Sequence, residues 1–267
     1  MENQTKDYFH SQGTVATWWY PERPDYALYT HFVEQLRWVV DQQPWAGQRV
    51  LDIGTGKGRF AGSYALNGAQ VWGMDISLEM LGLARAQMQE AAADVRLLNG
   101  DGEQLPFADA CFHVVSCLET IMHVPHPQRL LAEIRRVLRP DGVVVLSFTN
   151  RRRLNALLRA PIRLYQRLGW WEPAPQARIL WTYTPEECLQ LCQEAGLQVV
   201  NLQPQGLLQG NARLPLPGGY SLPLFPRAFA DWFLTRVEPR LRRSFLRRFM
   251  GTLNVVARPQ PRAGERV

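Results

Sequence analysis

The sequence predicts an α/β fold built on a mostly parallel, seven-stranded sheet with helices on both faces. Three observations carry that expectation. Between Arg49 and Asn150, short apolar runs alternate with stretches of helical periodicity, which is the sequence form of repeated strand–helix–strand units. The first apolar run breaks directly into Gly54-Thr55-Gly56-Lys57-Gly58 and then into a helix. The length of 267 residues, 46% hydrophobic and 20% charged, suits one large globular domain with insertions.

In chain order, Tyr26–Val40 has helical periodicity and follows the aromatic Trp18, Trp19 and Tyr20, so it should cover one side of the sheet. Strand one is Val50–Ile53, followed by a helix from Gly58 to Leu66, and strand two is Gln70–Met74. Ser77 is a natural N-cap, with Glu79 favourable in the first turn, for a helix that reaches Ala92 and carries Leu78, Met80, Leu81 and Leu83. Strand three is Val95–Leu98 and strand four Phe112–Leu118. A helix over Leu130–Leu138 should be stopped by Pro140-Asp141-Gly142 ahead of strand five, Val143–Phe148. Thr184 caps a helix over Pro185–Glu194 that Gly196 ends, Leu197–Leu202 is strand six, and Gly251–Ala257 strand seven. The long connection before strand seven reads as a functional excursion. By this reading residues 1–45 form a helical cap segment, 46–150 the cofactor-binding core, and 151–267 cap insertions with the last strands of the same sheet.

Composition narrows the function classes. The longest strongly apolar stretches, such as Val143–Leu146, are strand-sized, far short of the roughly 20 residues of a spanning helix. Met1–His10 shows no secretory pattern, so the expected location is cytoplasmic. Cys111, Cys117, Cys188 and Cys192 form no CxxC pair and have no histidine at ligand spacing; they are expected as small core residues, with no metal site. Charge is uneven: residues 1–150 hold 12 Lys and Arg against 17 Asp and Glu, residues 151–267 hold 18 against 7.

The strongest motif is Val50 to Gly58, a buried strand breaking into a GxGxG turn. Glycines serve where backbone must take φ > 0 or approach a ligand closely. A nicotinamide or flavin fingerprint would be GxGxxG, and an NTPase loop would need Ser or Thr after Gly-Lys, where this chain has Gly58. Asp75 ends strand two, where an acid in a doubly wound sheet can accept both hydroxyl protons of a ribose.

With these motifs in place, residues 49–150 resemble the class I methyltransferases of the type 11 group: Asp52 to Gly58, Asp75, Gly100-Asp101-Gly102-Glu103-Gln104-Leu105-Pro106-Phe107, and Leu138-Arg139-Pro140-Asp141-Gly142. The resemblance implies a Rossmann-like sheet with an antiparallel last strand, a helical cap from the N-terminal segment and the insertions, and S-adenosyl-L-methionine as cofactor. It implies contacts from Asp52, Gly54, Thr55, Gly56, Asp75, Ile76, Asp101, Gly102 and Glu119: Gly54 and Gly56 against the methionine part, Asp52 near its ammonium, Asp75 on the ribose, Asp101 on the adenine amino group. On turn chemistry alone the alternative for Asp101-Gly102 is a simple turn, and the order of the motifs argues against it.

The acceptor is less legible. A sulfonium methyl is already activated, so the protein mainly aligns a nucleophile and excludes water. If the acceptor is a hydroxyl a base helps, and His123, just beyond strand four, is the candidate among five histidines; packing or helix capping is its other reading. Tyr8-Phe9, Trp18 to Glu22 and Glu119…His123-Val124-Pro125 resemble the O-methyltransferases of ubiquinone biosynthesis, which act on catechol-like hydroxyls of a prenylated ring. In that family two glutamates and a histidine after strand four are associated with a divalent metal. Here the second glutamate position holds Met122, a soft and poor ligand for a hard cation.

The expectation is therefore a methyltransferase acting on a small-molecule, aromatic or lipid-like acceptor, with O-methylation favoured. An RNA-modifying enzyme is the alternative from the basic second half, disfavoured because no Asn/Asp-Pro-Pro-aromatic motif follows strand four. A non-catalytic scaffold is the third reading. Two basic amphipathic stretches, Arg151–Trp171 and Phe225–Phe249, read either as cap helices or as a surface making peripheral contact with anionic membrane; in the second, Phe229, Trp232, Phe233, Phe245 and Phe249 stand among Arg236, Arg240, Arg242, Arg243, Arg247 and Arg248.

Overall fold

The computed structural model describes residues 29–154, 167–168, 181–207, 213–215, 221–223 and 226–260. The expected aromatic segment Trp18 to Glu22 and most of Arg151–Trp171 lie outside the described residues. The elements are α1 (Tyr29–Val40), β1 (Arg49–Ile53), α2 (Arg59–Leu66), β2 (Gln70–Asp75), α3 (Leu78–Glu90), β3 (Val95–Asn99), β4 (Phe112–Cys117), α4 (Pro127–Val137), β5 (Leu138–Thr149), α5 (Pro185–Glu194), β6 (Leu197–Gln205), β7 (Arg213–Pro215), β8 (Ser221–Pro223), α6 (Arg227–Trp232), α7 (Glu238–Leu241) and β9 (Thr252–Pro259).

Seven strands make one sheet in the order β3-β2-β1-β4-β5-β9-β6. β9 runs antiparallel to both its neighbours and all other pairings are parallel. The order reverses between β1 and β4, and in open α/β sheets ligands bind outside the carboxyl ends of strands at such a switch point. One face packs on α4 and α5 through Leu130, Leu131, Ile134, Cys188 and Cys192. The other packs on α1 and α2 through Val39, Phe60, Ala61 and Tyr64. Strands buried on both faces need the continuous apolar runs seen in β4 and β5.

Two helix starts follow their caps. Ser77 Oγ accepts from Met80 N at 3.3 Å. Thr184 and Glu187 form a reciprocal capping box at the start of α5.

One expectation is corrected. α4 covers Pro127–Val137 and the next strand begins at Leu138, so Pro140-Asp141-Gly142 lie within β5. They still leave the ladder: Phe112 pairs with Leu138 but Val114 with Val143, so residues 139–142 bulge out where Pro140's missing donor does no harm. In α3, Leu78 and Leu83 are exposed, and Leu81, Ala84 and Met88 are buried, because Met88 packs into the space left by Gly58 and Gly62 of α2. From Arg227 to Phe249, α6, a π turn over Phe233–Val237, α7 with Pro239 in its first turn, and a 3-10 turn over Phe245–Phe249 follow one another. The β7–β8 hairpin inside the long connection was not expected.

Candidate functional site

The carboxyl ends of β1, β2 and β3 gather the first group of candidate residues. Beyond Ile53 the chain turns through Gly54, Gly56 and Gly58, all with positive φ (70°, 54° and 83°), which leaves α2 starting at Arg59. Gly54 N and Thr55 N both donate to Met74 O, at 2.8 and 3.0 Å, tying the turn to the end of β2. The glycines do different work. A Cβ on Gly54 would lie 2.7 Å from Thr120 Cβ, whereas one on Gly56 would meet nothing within 4 Å. Gly54 is thus a packing glycine, and Gly56 is the one that leaves open space above the turn.

Two carboxylates flank this turn. Asp75 Oδ2 accepts from Gly56 N at 2.8 Å and Oδ1 from Ser77 N at 2.9 Å. Burial pushes the Asp75 carboxyl up, and the Ser77, Gly56 and Ile76 N–H groups oppose that shift. Each oxygen keeps a further lone pair for a ligand hydroxyl. Ile76 joins Asp75 to Ser77, its carbonyl accepting from Asn99 Nδ2 at 2.9 Å.

Asp52 is buried below the turn, Oδ2 accepting from Thr55 Oγ1 at 2.8 Å. Desolvation pushes its carboxyl up to about 6, against the Thr55 and Ser116 hydroxyls that pull it down. Near neutral pH it is mostly an ionised, desolvated group, suited to a cationic ligand.

Asp101 and Gly102 follow β3 beside the same edge. Asp101 Oδ1 accepts from Glu103 N at 3.0 Å, closing a local turn, and Gly102 lets this turn sit on Ile53 and Leu130. The following segment is pinned by Arg136, which donates to Leu105 O and Phe107 O at 3.0 and 2.7 Å while pairing with Glu133 and Asp109. An arginine fork on two carbonyls and two acids makes a rigid wall.

The second group lies beyond β4. Glu119 stands at φ 54°, and its Oε1 accepts from Ser147 Oγ and Gln35 Nε2, both at 3.0 Å. Thr120 Oγ1 donates to Leu118 O at 2.9 Å and approaches Gly54 O at 3.4 Å, so this group touches the glycine turn. His123 ends the 3-10 turn Ile121–His123, its N donating to Thr120 O at 2.8 Å. Met122 is buried, its sulfur accepting from Thr149 Oγ1 at 3.0 Å and its carbonyl from Trp181 N at 2.7 Å. That packing seats Met122 inside the fold. No group of three His, Cys, Asp or Glu with metal-holding geometry occurs among the described residues.

All ten candidate residues therefore line one edge of the sheet, in two groups joined at Gly54 and Thr120. The sequence reading missed Gln35, Thr120, Ser147 and Asn254. Gln35 was hidden in a helical periodicity, and its partners stand 84 and 219 residues away. Glu119's left-handed backbone has no sequence signal.

A doubly wound sheet with an antiparallel β9, a glycine turn at its switch point and an acid at the end of β2 defines a Rossmann-like fold built to hold a ribose-bearing cofactor. Residues 51–146 match the methyltransferase-domain family. The ubiquinone biosynthesis O-methyltransferase of Thiobacillus denitrificans is 35% identical over 143 residues, 53% of this chain and 61% of that one. Its counterpart from Aromatoleum aromaticum is 32% identical over 195 residues, 72% of this chain and 80% of that one. The chain thus spans about three fifths of the length of the first relative and four fifths of the second. Among solved structures, magnesium protoporphyrin IX methyltransferase from Synechocystis PCC 6803 with bound SAH has a TM-score of 0.62 at 16% identity, over 98% of this chain and 100% of that one; this likeness concerns the fold. The chain belongs to the S-adenosylmethionine-dependent methyltransferases.

Proposed function

We propose that this chain transfers the methyl group of S-adenosylmethionine to a hydroxyl of a small aromatic or lipid-like acceptor. The observation that carries the reading is the joined edge just described: an open space over Gly56, two acids around it, and His123 on the adjoining turn. The relatives named for O-methylation in ubiquinone biosynthesis support the hydroxyl.

The cofactor supplies an electrophilic methyl on a sulfonium. The residues that would hold it are Asp52 below the turn, Gly56 and Asp75 around the ribose, and Asp101 with Gly102 at the base. Glu119 belongs to the wall between cofactor and acceptor, since its carboxylate is tied to Gln35 and Ser147. His123 would accept the hydroxyl proton while the packed turn excludes water. The test is transfer of labelled methyl to catechol-like hydroxyls on a prenylated ring, read by mass spectrometry. Wild type is expected to label the hydroxyl oxygen, and His123→Ala to lose roughly 100-fold in kcat, as for one general base, with cofactor affinity kept. Label on nitrogen or carbon would end the O-methylation reading; an unchanged pH profile in His123→Ala would end the base assignment.

Peripheral contact with anionic membrane is part of this proposal, because Phe229, Trp232, Phe245 and Leu246 are exposed, as are Arg243, Arg247 and Arg248, the last with its guanidinium 3.9 Å from the Phe245 ring centroid. Arg242 is excluded from that surface, since its guanidinium reaches the buried Glu238 at 3.4 Å. No helix among the described residues is long and apolar enough to cross a membrane. Three arginines near an anionic surface contribute about 1 kcal/mol each. Co-sedimentation with anionic liposomes at low salt is expected to drop on the order of 100-fold when all three become Gln. Equal partitioning of the two proteins would remove the membrane contact.

A further inference from the structure

Helix α1 carries His31 and Gln35 four residues apart, hence on one face, and both are buried. Buried polar groups are stable only when hydrogen-bonded, so their partners show what this face is built to meet. Gln35 Nε2 donates to Glu119 Oε1 at 3.0 Å and to Asn254 Oδ1 at 2.9 Å. The ladder runs on from Asn254 Nδ2 to Gln205 Oε1 at 3.0 Å, and from Gln205 Nε2 back to the His31 carbonyl at 2.7 Å. The Gln35 amide can point only one way, because a flip would set its oxygen against two acceptors. Its Oε1 consequently finds no donor among the described residues.

Glu119 passes this contact to the glycine turn. Its Oε1 also accepts from Ser147 Oγ, and its own N donates to the same hydroxyl at 2.7 Å. The backbone there is left-handed, a conformation that residues with side chains rarely adopt and that persists only where the surroundings impose it. It sets the next residue, Thr120, directly over Gly54, where a Cβ would stand 2.7 Å from Thr120 Cβ. A second clamp acts on the same helix: the Arg59 guanidinium lies 4.3 Å from the Phe32 ring centroid of α1 and 4.0 Å from that of Phe60 in α2, and donates to the Phe32 carbonyl.

We propose that Gln35 is a positioning residue that makes α1 part of the cofactor site: by clamping Glu119 it holds Thr120 against Gly54 and so links the seating of α1 to cofactor binding. The inference rests on the glycine turn as the place where S-adenosylmethionine binds. Linkage is reciprocal, so the cofactor tightens α1 by the factor by which seated α1 tightens the cofactor.

The test is titration calorimetry of S-adenosylmethionine with the full chain, using wild type, Gln35→Glu and the double variant Gln35→Glu/Glu119→Gln. In the single variant two carboxylates face each other in a buried site, and affinity is expected to fall about 10-fold to 100-fold. The double variant removes the carboxylate–carboxylate contact, while the new carboxylate at position 35 still meets the acceptor Asn254 Oδ1, so a partial recovery, about threefold to 10-fold above the single variant, is expected. A merely structural role for Gln35 would lower stability without that recovery. Hydrogen exchange on the wild-type protein supplies the second readout: the α1 amides are expected to exchange more slowly once the cofactor is added.

Wild-type affinity in the single variant, no recovery in the double, or α1 exchange indifferent to the cofactor would each overturn the proposal. If the single variant does not fold, the wild-type exchange result decides alone. Failure of the wild type to bind the cofactor would overturn the glycine-turn site and this inference together.

Discussion

An Asp75→Asn protein is expected to bind S-adenosylmethionine about 10-fold to 150-fold more weakly than the wild type while remaining folded. The reason lies in how many acceptors the position must supply. Asp75 already accepts from Gly56 N and Ser77 N through its two oxygens, and a ribose would add hydroxyl protons to both. An amide has one oxygen and two N–H donors, so either Gly56 N or Ser77 N must face a donor, and one ribose hydroxyl loses its acceptor. Losing a hydrogen bond to a charged group costs about 1.5–3 kcal/mol, so the one ribose bond lost weakens binding about 10-fold to 150-fold, while the lost backbone bond is missing from the free and bound protein alike. Stability should fall by a comparable amount, through the one backbone bond lost at Gly56 or Ser77, which leaves a domain of ordinary stability folded. Calorimetry beside a thermal melt checks both halves: wild-type affinity in Asp75→Asn would take Asp75 out of the cofactor site.

The parts of this fold that were legible are those where local chemistry and burial agree. β1, β4 and β5 are apolar runs because both sheet faces are covered, and Ser77 and Thr184 cap helices because their hydroxyls meet nearby N–H groups. The glycine turn and Asp75 were legible for the same reason, since φ > 0 and a strand-end acid are imposed within a few residues. Packing also decides faces that the apolar pattern leaves open: in α3, Leu78 is 69% exposed and the small Ala84 is fully buried, since Gly58 and Gly62 admit Met88 on that side. One misreading arose where packing overrode local signals. Leu138 looked helical and is the first residue of β5, because its side chain belongs to the core cluster with Phe112.

The polar half of the site was illegible for a different reason. Gln35, Ser147, Asn254 and Gln205 become meaningful only when β9 inserts between β5 and β6 and brings the end of the chain beside β5. Each is an ordinary residue in its own segment. What makes them a network is a sheet order fixed by non-local pairing, which periodicity and spacing do not report.

The same distinction separates two glycines that look alike in the motif. Gly54→Ala is expected to destabilise the fold by about 2–5 kcal/mol, combining about 1–2 kcal/mol for a left-handed alanine with overpacking of about 1–3 kcal/mol. Rotating Thr120 gives no relief, since the clash at 2.7 Å is with Thr120 Cβ itself, and Glu119 and Thr120 are held by Ser147 and Gln35. For a chain of this size that is a fall of roughly 4–20 °C in the melting midpoint, with cofactor affinity lost as Thr120 is displaced. Gly56→Ala carries only the backbone term, because a Cβ there meets nothing within 4 Å, so its midpoint should fall by roughly 2–8 °C. Yet its methyl would occupy the open space above the turn, and cofactor affinity should drop as far as in Gly54→Ala. Parallel melts and calorimetry on the two variants distinguish the roles. If Gly56→Ala keeps wild-type affinity, the space over Gly56 is not where the cofactor lies; if Gly54→Ala melts like the wild type, Thr120 is not the wall against which the turn is built.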